Sequence, residues 1–193
     1  MPISHKIETD KIIVLVWEIK ETLEELNMLA KNINTSHYSS KKRKKEHLTT
    51  RLLLNKICPN RSIIYNEYGA PELDNGKNIS ISHSKELVTI IVSQQQSGID
   101  IEKISEKALK ISSKFVSKNK RKLLTNEKAT LIWCAKEAIY KLHQKGNIDF
   151  IKDIKITDFE IEEKGKLKAK FKSEILILNY QKIHNHYLVY VCK

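Results

Sequence analysis

The sequence of 193 residues is poor in the features that mark membrane-spanning, disulfide-stabilised and disordered proteins. It has no uninterrupted run of about 18 apolar residues, so no segment is predicted to span a membrane. Five Gly and three Pro are too few for a low-complexity chain. The cysteines, Cys58, Cys134 and Cys192, have no paired spacing, which argues against a disulfide framework and against zinc ligands. The N-terminal residues do not follow the pattern of a secretory signal peptide, so we expect a cytoplasmic protein.

Positive charge is what the sequence has in excess. It contains 35 Lys and Arg against 23 Asp and Glu, a net charge of +12, which favours an anionic partner such as nucleic acid, a phosphorylated ligand, a membrane surface or an acidic protein. The stretch 41–56 has a single acid, Glu46, and the following basic residues: Lys41, Lys42, Arg43, Lys44, Lys45, Arg51 and Lys56. A solvated helix face has the same pattern, so the charge alone does not choose among these partners.

Hydrophobic periodicity predicts an α+β protein. The predicted elements are, in chain order, a strand at 11–19, helices at 21–33 and 39–57, strands at 62–66, 78–81, 87–93 and 98–102, and a helical region at 105–145 with a break at "TNEK". The remaining tail, from 159 onward, alternates apolar and polar residues as antiparallel strands do. Helices together with mostly antiparallel strands define the α+β class.

Two pairs of similar stretches indicate an internal duplication. "YSSKKRKK" at 38–45 resembles "FVSKNKRK" at 115–122, and "HSKELVTIIV" at 83–92 resembles "HNHYLVYV" at 184–191. Because both pairs occur in the same order, we predict two similar α+β subdomains, 1–96 and 97–193, related by a pseudo-twofold axis. The short polar joint between them favours close packing of the halves, with a cleft between them as the ligand site.

The stretch "SGIDIEKI", residues 97–104, places two carboxylates within a short apolar run. In a strand, Asp100 and Glu102 share one face while Ile99 and Ile101 share the other. Two adjacent carboxylates repel each other unless one is protonated or a cation lies between them, so a hard divalent metal such as Mg²⁺ is the simplest partner. Gly98 allows a close approach of another backbone. An ordinary charged strand face fits this short motif equally well.

A second motif lies in "LIWCAKEAIYKLHQKG" at 131–146. An apolar stripe at helical spacing is formed by Leu131, Ala135, Ala138 and Leu142. Glu137 and Lys141 stand four residues apart on a different face of this helix, and Gly146 is a stop signal. Taken alone, the pattern is also typical of an amphipathic helix with a surface ion pair.

Together and in this order, "GIDIE" at 98–102 and "WCAKEAIYK" at 133–141 resemble the signature of the 4′-phosphopantetheinyl transferase superfamily, G-x-D-x-E followed by W-x-x-K-E-A-x-x-K. Upstream, "EYGAPEL" and "SISHS" stand where members carry a G-K-P and an S-H-S segment, and "HLTTRLLLNK" resembles their arginine-bearing helix. The resemblance covers roughly 38–146. The length and the duplication resemble the larger, pseudo-dimeric branch typified by the surfactin-synthetase activator.

The resemblance implies transfer of the phosphopantetheine arm of coenzyme A, the co-substrate, to a serine of an apo carrier protein, with release of adenosine 3′,5′-bisphosphate. It implies that Asp100, Glu102 and Glu137 hold Mg²⁺, or Mn²⁺, on the pyrophosphate. Glu137 is also the implied acceptor of the serine proton. Lys141, and with it Lys136, would offset charge on the pyrophosphate. These metal and catalytic residues all lie in the subdomain 97–193.

For coenzyme A, the resemblance implies phosphate contacts from the subdomain 1–96. Arg51 matches the family's phosphate-binding arginine, and Ser82 and His83 match its serine–histidine pair. Two positions depart from the family: Ala70 replaces the lysine of G-K-P, and Lys120 stands where many relatives have an acid. The first departure removes an expected phosphate contact, for which the lysines at 41–45 could compensate.

The implied partner is an acidic apo carrier protein, acyl or peptidyl, and the expected protein is a monomer that binds neither nucleic acid nor membrane. Two other classes of protein share some of these features. A metal-dependent nuclease is disfavoured because Lys103, which directly follows Glu102, points to the opposite strand face. A non-catalytic nucleic-acid-binding module is the remaining alternative. It is disfavoured because aromatics make up only 7% of the chain and are not interleaved with the basic run.

Overall fold

The computed structural model describes residues 3–31 and 33–193. The chain forms antiparallel sheets packed with helices, which confirms the predicted α+β class and the two similar halves. None of the helices in the described part of the chain combines the length and apolar composition needed to cross a membrane.

The first half is built around a sheet with the strand order β1-β2-β6-β5-β4-β3. Its elements are β1 (Ile3–Glu8), β2 (Ile12–Glu18), α1 (Leu23–Leu29), α2 (Lys41–Ile57), β3 (Ile63–Tyr65), β4 (Pro71–Leu73), β5 (Asn78–Ser84) and β6 (Leu87–Ser93). The second half has a sheet with the order β7-β11-β10-β9-β8. Its elements are β7 (Ser97–Lys103), α3 (Glu106–Lys110), a 3₁₀ turn (Ser112–Lys114), α4 (Lys118–Arg121), α5 (Asn126–His143), β8 (Ile154–Ile156), β9 (Lys164–Phe171), β10 (Glu174–Ile183) and β11 (His186–Cys192).

Local signals determine where the helices begin and end. Thr22 and Glu25 form a reciprocal capping box at the start of α1, which is shorter than the predicted helix at 21–33. Thr125 in "TNEK" caps α5 by accepting a hydrogen bond from the backbone of Lys128, so the predicted break is confirmed. Helix α5 ends earlier than the stop expected at Gly146. Its last residue is His143, and Gln144 adopts a left-handed conformation with φ of 59°.

The two sheets have the same connectivity once β1 is set aside, because β2-β6-β5-β4-β3 corresponds strand for strand to β7-β11-β10-β9-β8. The repeated apolar stretches lie on corresponding hairpins, β5–β6 and β10–β11. These hairpins close at the pairs Ser84–Leu87 and Ile183–His186. In the structure Leu87 therefore corresponds to His186, whereas the letter match makes it correspond to Leu188, so the two alignments differ by two residues.

The two basic repeats also begin helices, since Ser40 precedes α2 and Ser117 precedes α4. The correspondence then ends, because α4 stops at Arg121 and the long helix of the second half starts only at Asn126. The repeated letters thus identify similar helix starts rather than a whole repeated helix.

Separate cores hold each half and join the halves. In the first half, α2 covers the sheet face that carries Leu15 and Trp17. In the second half, α5 packs against the sheet through the predicted apolar stripe, all of which is buried: Leu131, Ala135, Ala138 and Leu142. A third core lies between the sheets, where Val14 and Val16 of β2 meet Ile99 and Ile101 of β7. Burial of apolar surface in all three positions makes the two halves pack as neighbours.

A row of serine hydroxyls also joins the halves. Ser80, Ser82 and Ser84 alternate along β5, so all three point to the same face of the first sheet. Their hydroxyls accept hydrogen bonds from the backbone amides of Ile99, Ile101 and Lys103, at 3.1, 3.3 and 3.0 Å respectively. These amides lie on the free edge of β7, which would otherwise have unpaired donors. The edge strand that carries Asp100 and Glu102 is therefore fixed against the first half.

Candidate active site

The close approach of α5 to β7 assembles the candidate site. A Cβ built on Gly98 would overlap the carbonyl oxygen of Ala138 and come within 2.6 Å of the amide nitrogen of Leu142. Only glycine permits this contact, as the sequence predicted. In the alternating pattern of the strand, Asp100 and Glu102 share the face of Gly98, so both carboxylates point towards α5.

Asp100 is the most enclosed of the carboxylates, with 4% of its surface exposed. One of its oxygens, Oδ1, accepts hydrogen bonds from Lys141 Nζ at 2.7 Å and from Ser82 Oγ at 2.6 Å. The other, Oδ2, is buried and has no hydrogen-bond partner in the described part of the chain. A buried carboxylate oxygen without a partner is costly, so this atom is available to an additional cation or donor.

Glu102 is held by the tryptophan of the second motif. Trp133 Nε1 donates a hydrogen bond to Glu102 Oε1 at 3.2 Å, and the ring of Phe115 packs against Trp133. Burial, followed by the negative charge of Asp100, raises the pKa of Glu102, although the bond from Trp133 opposes this shift. Trp133 therefore orients a carboxylate, a role that the sequence motif did not predict.

Glu137 has the most perturbed carboxyl group of the cluster. Burial raises its pKa to about 7, with Asp100 and Glu102 contributing in the same direction and Lys141 opposing them. Lys141 does not form the surface ion pair with Glu137 that the helix pattern alone would allow; its ammonium group is instead bound to Asp100. A carboxyl group that titrates near neutral pH is suited to accept and release a proton.

The donor set suits a hard divalent cation, although the side chains do not enclose one as they stand. Within residues 3–31 and 33–193, no group of three or more His, Cys, Asp or Glu side chains has the spacing of a closed metal site. The negative charge of Asp100 nevertheless helps to raise the pKa of both Glu102 and Glu137, and one buried oxygen of Asp100 lacks a partner in the described part of the chain. Carboxylate oxygens are the ligands that Mg²⁺ prefers. The residues therefore fit a divalent cation, which would relieve this mutual repulsion.

Ser82 has a different position from the one implied by the resemblance. Its hydroxyl donates to Asp100 and accepts from the amide of Ile101, so both functions of the group are used within the protein. The structure thus places Ser82 as a support for Asp100 rather than as a free ligand for phosphate. The S-x-S-x-S alternation was the available signal, since it puts three hydroxyls on one strand face.

His83 lies on the opposite face of β5 and points to α2. Its Nε2 is 3.0 Å from Arg43 Nη1, and its Nδ1 is 3.5 Å from a carboxylate oxygen of the buried Glu46. Burial lowers the pKa of His83, even though Glu46 acts to raise it. At neutral pH the imidazole is therefore uncharged, and the cations whose charge acts on it are Arg43 and Lys141.

Two adjoining cavities surround His83. One, of about 210 Å³, is lined by Arg43 and Arg51 of α2 together with His83. The other, of about 290 Å³, is lined by Ala70 and His83 from the first half and by Tyr140 and Lys141 from the second. Both cavities share His83, so the structure brings the predicted Arg51, His83 and Lys141 to one cleft between the halves. Ala70, where the family has lysine, lines the same cleft and supplies no charge.

Lys136 is not brought to this cluster. Its ammonium group is buried and donates to the backbone carbonyl oxygens of Phe150 and Ile154. Burial lowers the pKa of Lys136 to about 8. The contacts are those of a residue that holds the segment after α5 in place, because two buried carbonyl groups depend on it. Lys120, the other departure from the family pattern, forms an exposed ion pair with Asp158 at 2.7 Å.

The fold is that of a protein with two similar halves, of which the second carries the cluster of carboxylates. The chain belongs to the 4′-phosphopantetheinyl transferase superfamily, whose model matches residues 96–192. It is also 36% identical over 97 residues to the 4′-phosphopantetheinyl transferase gsp of Aneurinibacillus migulanus. The aligned stretch covers 46% of this chain and only 41% of that relative. The family match contains Asp100, Glu102, Glu137 and Lys141, and it confirms the resemblance read from the two motifs.

Proposed function

We propose that this protein transfers the phosphopantetheine arm of coenzyme A to a serine of an apo acyl or peptidyl carrier protein and releases adenosine 3′,5′-bisphosphate. The observation that carries the proposal is the meeting of Asp100 and Glu102 on β7 with Glu137 and Lys141 on α5, in a chain of this superfamily. A set of carboxylates with one lysine beside a basic cleft is suited to a pyrophosphate substrate.

The two halves would have separate tasks in this proposal. Residues 1–96 form the subdomain that binds the phosphates of coenzyme A, and residues 97–193 form the subdomain that carries the metal and catalytic groups. Arg51 and His83, with Arg43 beside them, line the cleft on the first side. The arginine guanidinium groups supply charge-assisted hydrogen bonds to phosphate, and the neutral His83 supplies a single N–H donor.

Asp100, Glu102 and Glu137 would hold Mg²⁺, with Mn²⁺ as the alternative. When bound, the metal neutralises charge on the pyrophosphate and polarises the phosphorus that is attacked. Ser82 and Trp133 keep Asp100 and Glu102 in position through the hydrogen bonds described above. We assign Ser82 to this positioning role, in place of the phosphate contact that the resemblance implied.

The transfer itself exchanges one phosphorus–oxygen bond for another. The serine oxygen of the carrier bonds to the phosphorus that bears the pantetheine arm, and the bond from that phosphorus to the bridging oxygen breaks. The electron pair leaves with adenosine 3′,5′-bisphosphate. Glu137, with its pKa of about 7, accepts the serine proton directly or through water. Lys141, which lines the cleft, offsets the charge that develops on the pyrophosphate.

The net charge of +12 suits an acidic carrier protein, because opposite charges speed diffusional encounter. We further propose that the protein acts as a monomer in the cytoplasm, since the pseudo-dimeric fold already provides two halves and a cleft.

The test is to incubate the protein with coenzyme A, Mg²⁺ and a panel of apo acyl and peptidyl carrier proteins, and to measure the intact masses of the carriers. We expect one carrier class to gain the mass of a single phosphopantetheine, on the serine that is modified. A carrier whose serine is replaced by alanine is the matched control and should gain nothing. Absence of transfer to every carrier, with folded protein and metal present, would overturn the proposal.

A further inference from the structure

The second sheet has a strongly basic face that the proposed function does not use. Its outward positions on β8 and β9 are all lysine, and we name them together the lysine face: Lys155, Lys164, Lys166, Lys168 and Lys170. Every second residue of β9 belongs to it, so the four lysines of that strand are about 7 Å apart and extend over about 20 Å. The inward residues of the strand, Leu167, Ala169 and Phe171, are buried in the core that includes α5.

Nothing in the described part of the chain neutralises the lysine face. All five side chains are exposed, and none forms an ion pair with a described carboxylate. Lys155 and Lys170 are directly opposite each other on neighbouring strands. Like charges in that arrangement destabilise a sheet, so an external anion would relieve the repulsion.

Two isoleucines extend the face on the next strand. Ile175 and Ile177 of β10 pair with Lys170 and Lys168, and they are 56% and 48% exposed. Farther along the strand, Asn179 and Gln181 take the corresponding outward positions. The surface therefore combines a row of cations with apolar side chains at one end, and its outward positions on β8, β9 and β10 contain no carboxylate and no aromatic ring.

We propose that this face binds the surface of an anionic lipid bilayer. Each lysine close to such a surface gains from its negative potential, and exposed aliphatic side chains beside the lysines can enter the boundary of the acyl chains. The sequence led us to expect no membrane partner, but that expectation rested on the lack of a spanning segment. A surface contact needs no such segment.

The composition of the face favours a bilayer over the other polyanions. All its cations are lysines, which act as flexible point charges, whereas arginine is the usual residue where carboxylate or phosphate groups are recognised in a fixed geometry. Lysine is also depleted in protein–protein interfaces. Without an aromatic ring at the outward positions of β8, β9 and β10, the face offers bases nothing to stack on, as single-stranded nucleic acid would require.

The lysine face lies on the side of the second sheet that faces away from the candidate active site. The lysine face and α5 lie on opposite faces of the second sheet, because the outward lysines alternate with residues that pack against α5. Asp100 and Glu102 point towards α5, on the other side of the sheet. A bilayer bound by the lysine face would therefore leave the carboxylate cluster uncovered.

The test measures binding of the full chain to sedimented vesicles of phosphatidylcholine, with and without phosphatidylserine, at about 0.1 M salt. Two variants each remove four charges, from +12 to +8. One replaces Lys164, Lys166, Lys168 and Lys170 with Gln, and the matched control replaces Lys41, Lys44, Lys45 and Lys56 with Gln. A third variant, Ile175→Ser with Ile177→Ser, keeps all charges. Melting temperatures confirm that each variant is folded.

We expect the wild type to bind only the vesicles that contain phosphatidylserine, and to be released by high salt. The lysine-face variant should lose more than about a hundredfold in partition coefficient, since each lysine near an anionic surface contributes roughly fivefold. The control on α2 should lose less than about fivefold, and the isoleucine variant about tenfold.

Equal binding to both kinds of vesicle would overturn the proposal, as would wild-type binding by the lysine-face variant. So would an equal loss in both charge variants, which would show that only net charge matters. A single-stranded oligonucleotide that displaces the protein from vesicles through the same lysines would show a nucleic-acid surface instead. None of these outcomes depends on the transferase activity, which is measured separately.

Discussion

The two halves of the molecule have the same strand connectivity but use corresponding positions differently. Leu15 of β2 pairs with Ile90, the fourth residue of β6, and Asp100 of β7 pairs with Val189, the fourth residue of β11. Leu15 and Asp100 therefore occupy corresponding positions in the two sheets. By the same register, Trp17 corresponds to Glu102. Leu15 and Trp17 are buried in the core beneath α2, whereas Asp100 and Glu102 face α5 as carboxylates.

The two halves differ in what lies beneath the long helix: apolar side chains in the first half and carboxylates in the second. In the first half, the strand under the long helix contributes apolar burial, which stabilises that half. In the second half, the same positions carry carboxylates, and their charges add to the effect of burial, which raises the pKa of Glu137 to about 7. Sites with groups in such unfavourable surroundings are typical of function rather than stability. The first half instead contributes cations to the cleft, on α2.

The largest expected effect comes from neutralising the carboxylates of the second half. Asp100→Asn, Glu102→Gln and Glu137→Gln retain size but remove the charge that would hold the metal, so each should lower kcat of the transfer roughly a thousandfold. The control at the corresponding position of the first half, Leu15→Met, should keep kcat within about twofold. Rates are measured by the gain of mass on the carrier. Full activity in Asp100→Asn or Glu102→Gln would show that the pair is an ordinary strand face.

Gly98 provides the next largest effect. By the strand register its counterpart in the first half is Ile13, so the first sheet accepts a large side chain where the second accepts none. Gly98→Ala would push α5 away from β7 and should cost about 3 kcal/mol of unfolding free energy. The melting temperature should fall by about 6 to 12 °C. Ile13→Ala, at a half-buried position, should cost roughly 1 kcal/mol.

A fall no larger for Gly98→Ala than for Ile13→Ala would contradict the close approach of α5 to β7. Loss of transfer activity in the folded Gly98→Ala variant would further show that the approach positions the carboxylates, since the mutated residue carries no reactive group.

The metal-free protein should lose stability as pH rises, because Glu137 has a raised pKa. The folded state binds the Glu137 proton more tightly than the unfolded state, so this group stabilises the fold below its unfolded pKa of 4.5 and loses that effect as pH rises through about 7. The loss attributable to Glu137 is on the order of 3 kcal/mol.

We therefore expect Glu137→Gln to melt higher than the wild type at pH 8 by several degrees, and by much less at pH 5, in the presence of a chelator. Measuring the difference between the two proteins at each pH removes the contribution of the other titrating groups. A difference that does not change with pH would refute the raised pKa of Glu137.

The smallest of these effects concerns the cations that the first half supplies. Arg51→Ala should raise the KM for coenzyme A about tenfold, the loss expected for one charge-assisted hydrogen bond to phosphate. His83→Ala should raise it only about threefold, because burial keeps the imidazole neutral. The KM for the carrier should stay nearly constant. Dephospho-coenzyme A is the control: if its KM rises as much on mutation, neither residue contacts the 3′-phosphate.

Much of this architecture could be predicted from the sequence, because the strands and the long helices have strong periodic patterns. The two motifs also led us to expect Asp100, Glu102 and Glu137 near one another, and in the structure the charges of the first two act on Glu137. Gly98 has the close-contact role that was predicted. The strands β1, β4 and β8 were missed, since β1 is largely exposed and β4 and β8 have only three residues each.

What could not be predicted depends on contacts between distant segments. The motif letters put Lys136 beside Glu137, but helix geometry turns it towards the carbonyl groups of Phe150 and Ile154. Ser82 binds Asp100 because the edge of β7 lies against β5; the S-x-S-x-S alternation puts the hydroxyls on one face of β5 but does not indicate which strand they meet. The donation from Trp133 to Glu102 likewise needs the crossing of α5 over the strand.

The most direct test of the central claim, that the acidic positions of the second half form a metal site, is equilibrium binding of Mn²⁺ in the presence of coenzyme A. Binding is followed by the loss of the paramagnetic resonance signal of the free ion. We expect the wild type and Leu15→Met to bind Mn²⁺ equally, and Asp100→Asn and Glu102→Gln to bind it at least about a hundredfold more weakly. Binding by either of these two variants as tight as that of the wild type would contradict the claim.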